Sequence, residues 1–177
     1  MKIGLVRHFK VTKGFPEKMW LTKQELVQWF KEYDEAEIEE GEVNLSDVEW
    51  TACFSSDMPR AAQTATKIYA GPIAVTSQLR EIPLPDFKSN VKLPFLVWAI
   101  LIRMSQLINP KTKKDIAEAK KRIRIVLDEA MQEGDGNVLI VSHAALMMYM
   151  RKELMKRGFI GESFKTPENG KLYVFEK

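Results

Sequence analysis

The sequence predicts an α/β protein: a mostly parallel sheet covered by helices on both faces, in three layers. Short apolar runs bounded by polar or glycine punctuation recur along the chain, and between them lie segments whose apolar residues are spaced three and four apart. Strands that alternate with helices imply parallel neighbours joined by crossovers. At 177 residues and 20.4 kDa the chain has room for one well-buried core, so a single domain over 1–177 is expected, with a helical insertion at about 82–112.

In chain order, the first strand is Lys2–Val6, which ends directly on Arg7 and His8. Lys23–Tyr33 sets Leu26, Trp29, Phe30 and Tyr33 on one helical stripe that should lie on the sheet. Trp50–Ser55 reads as the second strand, a helix begins after Asp57, and Ile73–Thr76 is the third strand. Leu93–Ile108 is apolar nearly all round and reads as a helix buried under neighbouring loops. Lys114–Gln132 repeats the helical spacing through Ile116, Ala119, Ile123, Val126, Leu127 and Ala130, again as a helix lying on the sheet. Gly134-Asp135-Gly136 should end it and feed the strand Asn137–Ser142. A last helix starts after Ser142, and Lys171–Phe175 closes the sheet. Asp57 and Ser142 are side chains that accept hydrogen bonds from the orphan N–H groups of a first helical turn, which is why the two helices are started there.

Composition narrows the function. Lys plus Arg number 27 and Asp plus Glu 24, a net charge of +3, too small to argue for nucleic acid and compatible with an anionic small substrate. Of Lys120, Lys121, Arg122 and Arg124, most fall opposite the apolar stripe of their helix, beside Asp128 and Glu129, and the group reads as a solvated face. The one cysteine, Cys53, excludes an intrachain disulfide and a cysteine zinc cluster, and its apolar surroundings describe a buried, inert thiol. The most apolar stretch is interrupted by Pro94, Arg103 and Gln106, short of the ~20 residues of a span, and the N-terminus lacks the apolar run of a signal peptide. A cytoplasmic protein with no membrane, nucleic-acid, cofactor or metal partner is the expectation.

Sheets of this kind place their sites beyond the carboxyl ends of their strands. There the polar residues converge: Arg7 and His8 after the first strand, Ser55-Ser56-Asp57 with Arg60 after the second, Arg80-Glu81 after the third, and Ser142-His143 after the fourth. Two imidazoles, several guanidiniums and a carboxylate at one rim suit phosphoryl transfer. Guanidinium offers a planar fork to phosphate oxygens, with Arg7 and Arg60 as the candidates, and neutral imidazole can attack phosphorus, which makes His8 the candidate nucleophile. The first turns of the helices in "SDMPR" and "SHAAL" would add free N–H groups to the same space.

The segments "LVRH", "SSDMPRAAQTA", "LRE" and "VSHAAL", in this order, resemble the histidine phosphatase superfamily, which includes the phosphoglycerate mutases, and the likeness spans almost the whole chain. "SSDMPRAAQTA" is the most specific, since it fixes a cap, an arginine in the first helical turn and Thr64 one turn further. The resemblance implies a phosphoglycerate mutase-like fold and a metal-independent phosphomonoesterase that takes a small phosphorylated substrate. It makes His8 the phosphorylated residue, sets Arg7, Arg60 and His143 around the transferring group, with His143 protonated, and makes Glu81 the proton donor to the leaving oxygen and then the base for water. Activity should fall when His8 gains a proton or Glu81 loses one.

Two positions depart from the family pattern: Phe9 and Ala144 stand where glycines usually follow the two histidines. A positive φ at Phe9 would cost on the order of 1–2 kcal/mol, and its ring would face the bound group. Lys10 or Lys13 would reach a second anion, and Asp86 is a second candidate acid. The insertion, with Phe95, Trp98 and Met104, would wall the leaving-group side of the pocket and favour a bulky, partly apolar phosphoester. A homodimer through residues 93–108 is the other use of that surface. A mutase, a non-catalytic phosphate-ester-binding module, and action on phosphorylated proteins remain alternatives.

Overall fold

In the computed structural model, which describes residues 1–88, 91–132 and 136–177, the apolar runs become the strands of one sheet. The elements are β1 (Lys2–Arg7), β2 (Trp20–Leu21), α1 (Lys23–Glu35), β3 (Trp50–Ser56), α2 (Pro59–Ile68), β4 (Ile73–Thr76), β5 (Leu93–Pro94), α3 (Phe95–Ile108), α4 (Pro110–Gln132), β6 (Asn137–Ser142), α5 (Ala144–Lys156), β7 (Ile160–Gly161) and β8 (Leu172–Glu176). Six strands lie in the order β4-β3-β6-β1-β8-β7. The first four of these run parallel, whereas β8 is antiparallel to β1 and β7 to β8. The three-layer α/β arrangement read from the sequence is the one observed. Of the glycine turn expected after the long helix, Gly134 and Asp135 lie outside the described residues.

Alternation along the central strands assigns side chains to two cores. Ile3, Leu5, Val138 and Ile140 pack with Ile123, Leu127, Leu146 and Met150 of α4 and α5. On the other face Val6, Leu139 and Val141 meet Ala61 and Ala65 of α2. A strand buried on both faces reads as a continuous apolar run, the signal β1 and β6 carry. Gly4 has its own reason: a Cβ there would stand 2.6 Å from the Trp50 ring.

Three readings are corrected. α1 starts in a reciprocal cap between Thr22 and Glu25, as a helix should, but it packs on α2 and β2 rather than on the sheet. Its stripe of Trp29, Phe30 and Tyr33 is half-buried and faces a cavity. Secondly, α3 is not buried: along it only Trp98 and Ser105 are, Trp98 donating to the Leu21 carbonyl at 2.9 Å, while the opposite face stands in water. Thirdly, Arg122 does not belong to the solvated face of α4. Its Nη1 donates to the carbonyls of Ser77, Gln78 and Arg80 and so holds the turn that leads into Glu81. Lys120, Lys121 and Arg124 are exposed as expected. The ribbon of β2 with β5, and β7, are two residues each, too short to leave a periodic signal.

Candidate active site

The carboxyl ends of β1, β3 and β6 lie side by side, with Arg7 paired to Ser142 and Ser55 to Val141 in register. This adjacency brings the two histidines together: their ring centres are 5.2 Å apart. His8 is 2% exposed, and its Nδ1 lies 2.6 Å from the Phe9 carbonyl oxygen. A carbonyl can only accept, so Nδ1 carries the proton and Nε2 keeps its lone pair. Arg60 Nε donates to that Nε2 at 3.1 Å. Burial, and then the guanidiniums of Arg60 and Arg7, push the His8 pKa down to about 3, so the ring is neutral under ordinary conditions.

Arg60 rises from the first turn of α2 and is itself buried. Beyond His8, its Nη1 donates to Asp34 of α1 at 2.7 Å, and its guanidinium stacks 5.4 Å over the Tyr33 ring. Thr64, one turn on, donates to the Arg60 carbonyl at 2.7 Å and accepts from the Phe9 N–H at 2.9 Å. This gives the specific motif its structural sense: one helical turn carries the arginine and fixes the backbone beside the histidine. Arg7 is tied by Nη1 to the Pro167 carbonyl at 2.9 Å, and its buried Nε has no partner among the described residues.

His143 holds Ser56 Oγ through Nε2 at 2.9 Å, and its buried Nδ1 is without a partner among the described residues. Burial, Arg60, His8 and Arg7 keep its pKa well below the usual histidine range. Where the sequence reading expects an imidazolium, burial beside these guanidiniums favours the neutral ring.

Glu81 is placed by two elements. Arg122 fixes the backbone before it, and its carboxylate accepts from the N–H groups of Ile82 at 2.9 Å and of Ala145 and Leu146 at 3.0 Å each. The carboxylate thus caps α5, correcting the expectation that Ser142 does so and that this helix end is open to an anion. Ser142 Oγ instead donates to the Leu79 carbonyl, and Asp57, the other expected cap, takes the fork of Arg80 at 2.7 and 2.6 Å. Burial of Glu81 outweighs the three N–H donors and raises its pKa above the ordinary carboxylate value.

Arg7, His8, Arg60, Glu81, Ala144 and Asn169 border one cavity of about 720 Å³. Aromatic and aliphatic side chains also line it: Phe15, Trp29, Phe30, Tyr33, Phe95 and Ile102. Trp98, placed in that wall by the sequence reading, is buried in a separate cluster with Leu21 and Leu26, and Met104 points outward. Asp86 is not at the site; it is an exposed partner of Lys23, which holds its pKa low. Lys10 and Lys13 border the cavity but pair with Glu39 and Glu32. Sequence reasoning missed Asp34 and Asn169. The second donates to the His8 carbonyl at 2.8 Å, while Gly170, at φ +65°, donates to the Arg7 carbonyl.

No curated protein matches the chain. A sequence profile of the histidine phosphatase superfamily (branch 1) matches residues 35–176. The chain belongs to that superfamily. Solved structures agree on the fold. One is phosphoserine phosphatase from Entamoeba histolytica in complex with 3-phosphoglyceric acid, with a TM-score of 0.58 and 19% identity, covering 99% of this chain and 90% of that one. A second is the ecdysone phosphate phosphatase of Bombix mori in complex with tungstate, at TM-score 0.59 and 11% identity, covering 99% and 89%. A third is mycobacterial glucosyl-3-phosphoglycerate phosphatase, at 0.51 and 16%, covering 88% and 79%.

The structure places both residues that depart from the family pattern, Phe9 and Ala144, without a strained backbone. Phe9 has no positive φ, and its ring turns away from the cavity into a small core with Val11 and Ile38. The chain opposite is trimmed for it: a Cβ at Gly170 would meet the ring at 2.8 Å and one at Gly41 at 3.0 Å. Both expectations for Phe9, backbone strain and an aromatic face beside the ligand, are thereby corrected. Ala144 is the first residue of α5 and adds one methyl group to the cavity edge.

Proposed function

We propose that this protein is a metal-independent phosphomonoesterase that works through a phosphohistidine on His8. The observation that carries the reading is the state of His8: a neutral ring whose Nδ1 proton is spent on the backbone, with Nε2 as lone pair beside two guanidiniums at the edge of a cavity. Membership of the histidine phosphatase superfamily supports phosphatase chemistry in general.

In the first step the Nε2 lone pair attacks phosphorus and the bond from phosphorus to the ester oxygen breaks, the leaving oxygen taking a proton from Glu81. In the second, water attacks the phosphoryl group, gives its proton to the Glu81 carboxylate, and the N–P bond breaks to restore neutral His8. Arg7 and Arg60 meet the charge on the equatorial oxygens, the part a metal ion plays elsewhere. Nε2 cannot accept from Arg60 and attack phosphorus at once, so substrate must draw the Arg60 N–H away onto a phosphate oxygen. Asp34, which holds the other end of the guanidinium, is the residue against which that exchange works.

The cavity's aromatic wall favours a leaving group with apolar or aryl surface over a small polar acid. Steady-state hydrolysis tests the proposal: an aryl phosphate should be turned over with higher kcat/KM than 3-phosphoglycerate, without loss in a chelator, and His8→Ala should abolish both. Preferred turnover of 3-phosphoglycerate would overturn the substrate class, and loss of activity in the chelator would overturn metal independence.

A further inference from the structure

We infer that the outer face of α3 docks this protein on an anionic lipid surface, with the active-site cavity opening beside it. The docking stands independently of the reaction; the substrate class it implies, an amphiphilic phosphomonoester presented at that surface, rests on the phosphatase reading.

The face is wide and almost wholly apolar. Leu96 and Leu107 are each 73% exposed, Ile108 68% and Ile100 57%, with Met104 also in water. At helical spacing these residues cover one side of α3 from end to end, and the single polar side chain among them is the exposed Arg103. A soluble surface scatters such residues singly; a stripe of this length marks a contact.

Charge selects the occupant. Between Phe87 and Lys114 the sequence carries Lys88, Lys92, Arg103, Lys111, Lys113 and Lys114 and no acidic residue, within a chain whose net charge is only +3, so the remainder is net acidic. All six are exposed, and none is in an ion pair with another described residue. A second copy of this chain seated through a twofold axis would bring one such cationic rim against another, which like-charge repulsion disfavours. An anionic bilayer meets both demands: acyl chains for the leucine stripe, headgroup phosphates for the lysines and for Arg103 on its flexible stem. The expectation of no membrane partner rested on the length needed to span, and among the described residues no helix is long and apolar enough to cross. Lying on a surface is a different contact.

The apolar surface also leads into the site. Phe15, 83% exposed, packs edge to face on Phe95 at 5.8 Å, and both border the cavity, as does Ile102 of α3. Trp20 and Met19 extend the surface beside the first turn of α3, the Met19 carbonyl accepting from the Phe95 N–H. An ester with one acyl or aryl tail would pass from lipid to the aromatic wall without crossing water.

Flotation of the full chain with vesicles of phosphatidylcholine containing phosphatidylserine, and with phosphatidylcholine alone, tests this. The expected result is recovery with the anionic vesicles, weakened by salt, and at least about tenfold less recovery of the Leu96→Glu, Leu107→Glu double variant. Both positions are exposed, so the variant's thermal midpoint should match the parent's. Failure to float with the anionic vesicles, equal flotation of the double variant, or a parent dimer that the variant converts to monomer would each overturn the inference, the last by assigning the face to a second copy. Flotation by a protein inert toward aryl phosphates would uphold docking and overturn the phosphatase reading, and with it the substrate class.

Discussion

At the rim of the sheet His8, Arg60 and His143 are buried, and each is held by hydrogen bonds to a neighbouring strand, helix or loop. Along α3 the large apolar side chains stand in water and only Trp98 and Ser105 are enclosed. One region is over-determined, because the side chains proposed for the chemistry also satisfy buried polar groups; the other is under-determined, because nothing among the described residues covers it. The difference teaches where each kind of function sits. Reaction chemistry needs atoms fixed to fractions of an ångström and is built on strand ends, whereas selection of substrate or surface tolerates a looser frame.

The sharpest way to break this contrast is at the nucleophile. His8→Ala should lower kcat by at least about 10⁴-fold while leaving vesicle flotation intact. Arg60→Ala comes next, with a loss on the order of 10²–10³-fold, since it removes one preorganised donor to the phosphoryl oxygens. Arg60→Lys should recover little of it, lacking the fork that spans His8 and Asp34. If either substitution were nearly silent, the rim would be a structural cluster only.

Glu81 caps α5 and, in the proposed reaction, is also the acid. Glu81→Gln should cost about 10²–10⁴-fold in kcat and remove the alkaline limb of the rate profile. Glu81→Ala should in addition lower stability by about 1–3 kcal/mol, because the N–H groups of Ala145 and Leu146 lose their acceptor. With the His8 pKa down at about 3 and that of Glu81 raised, the rate profile should lie on the acid side, its acid limb far below that of a free imidazole. Urea unfolding across pH separates the cap from the acid.

Stability should respond to pH through the same groups. The pKa of His8 is about 3 in the folded chain and near 6.5 when unfolded, and that of His143 is lowered likewise. As pH falls through that window the unfolded chain takes up protons the folded chain refuses, so stability is full above about pH 6.5 and declines below it. Glu81 has the opposite sign: its raised pKa adds stability at low pH that is lost as pH rises beyond the ordinary value of 4.5. Two histidines outweigh one carboxyl, so the thermal midpoint should rise from pH 4.5 to 6.5, and less steeply in His143→Gln. The smallest effect belongs to the looser region: Phe95→Ala should reduce the preference for an aryl over a small polar leaving group by roughly tenfold, with little change in kcat.

Much of the rim was legible in the sequence because parallel strands buried on both faces announce themselves as apolar runs, and the first polar residues after each run must gather at one edge. That rule places His8, Arg60, Glu81 and His143 at the edge where the structure has them. Asp34 was not legible, because its only signal is a polar residue one position beyond the apolar stripe of α1, and its partner lies 26 residues away. The capping of α5 by Glu81 was invisible for the same reason: a local rule pointed to Ser142, while the acceptor that closes the helix comes from 64 residues earlier. The Phe9 ring was aimed wrongly because its direction depends on Gly41 and Gly170 making room for it. For α3, an apolar pattern states that a surface wants cover and says nothing of whether the chain itself supplies it.

The central claim is that the neutral Nε2 of His8 takes the phosphoryl group. Rapid quench of the enzyme with a labelled phosphoester, followed by mapping of the acid-labile adduct, addresses it directly. The account predicts label on His8 that forms before product phosphate is released and is absent in His8→Ala. Label on any other residue, or turnover by His8→Ala at a rate close to the parent's, would contradict it.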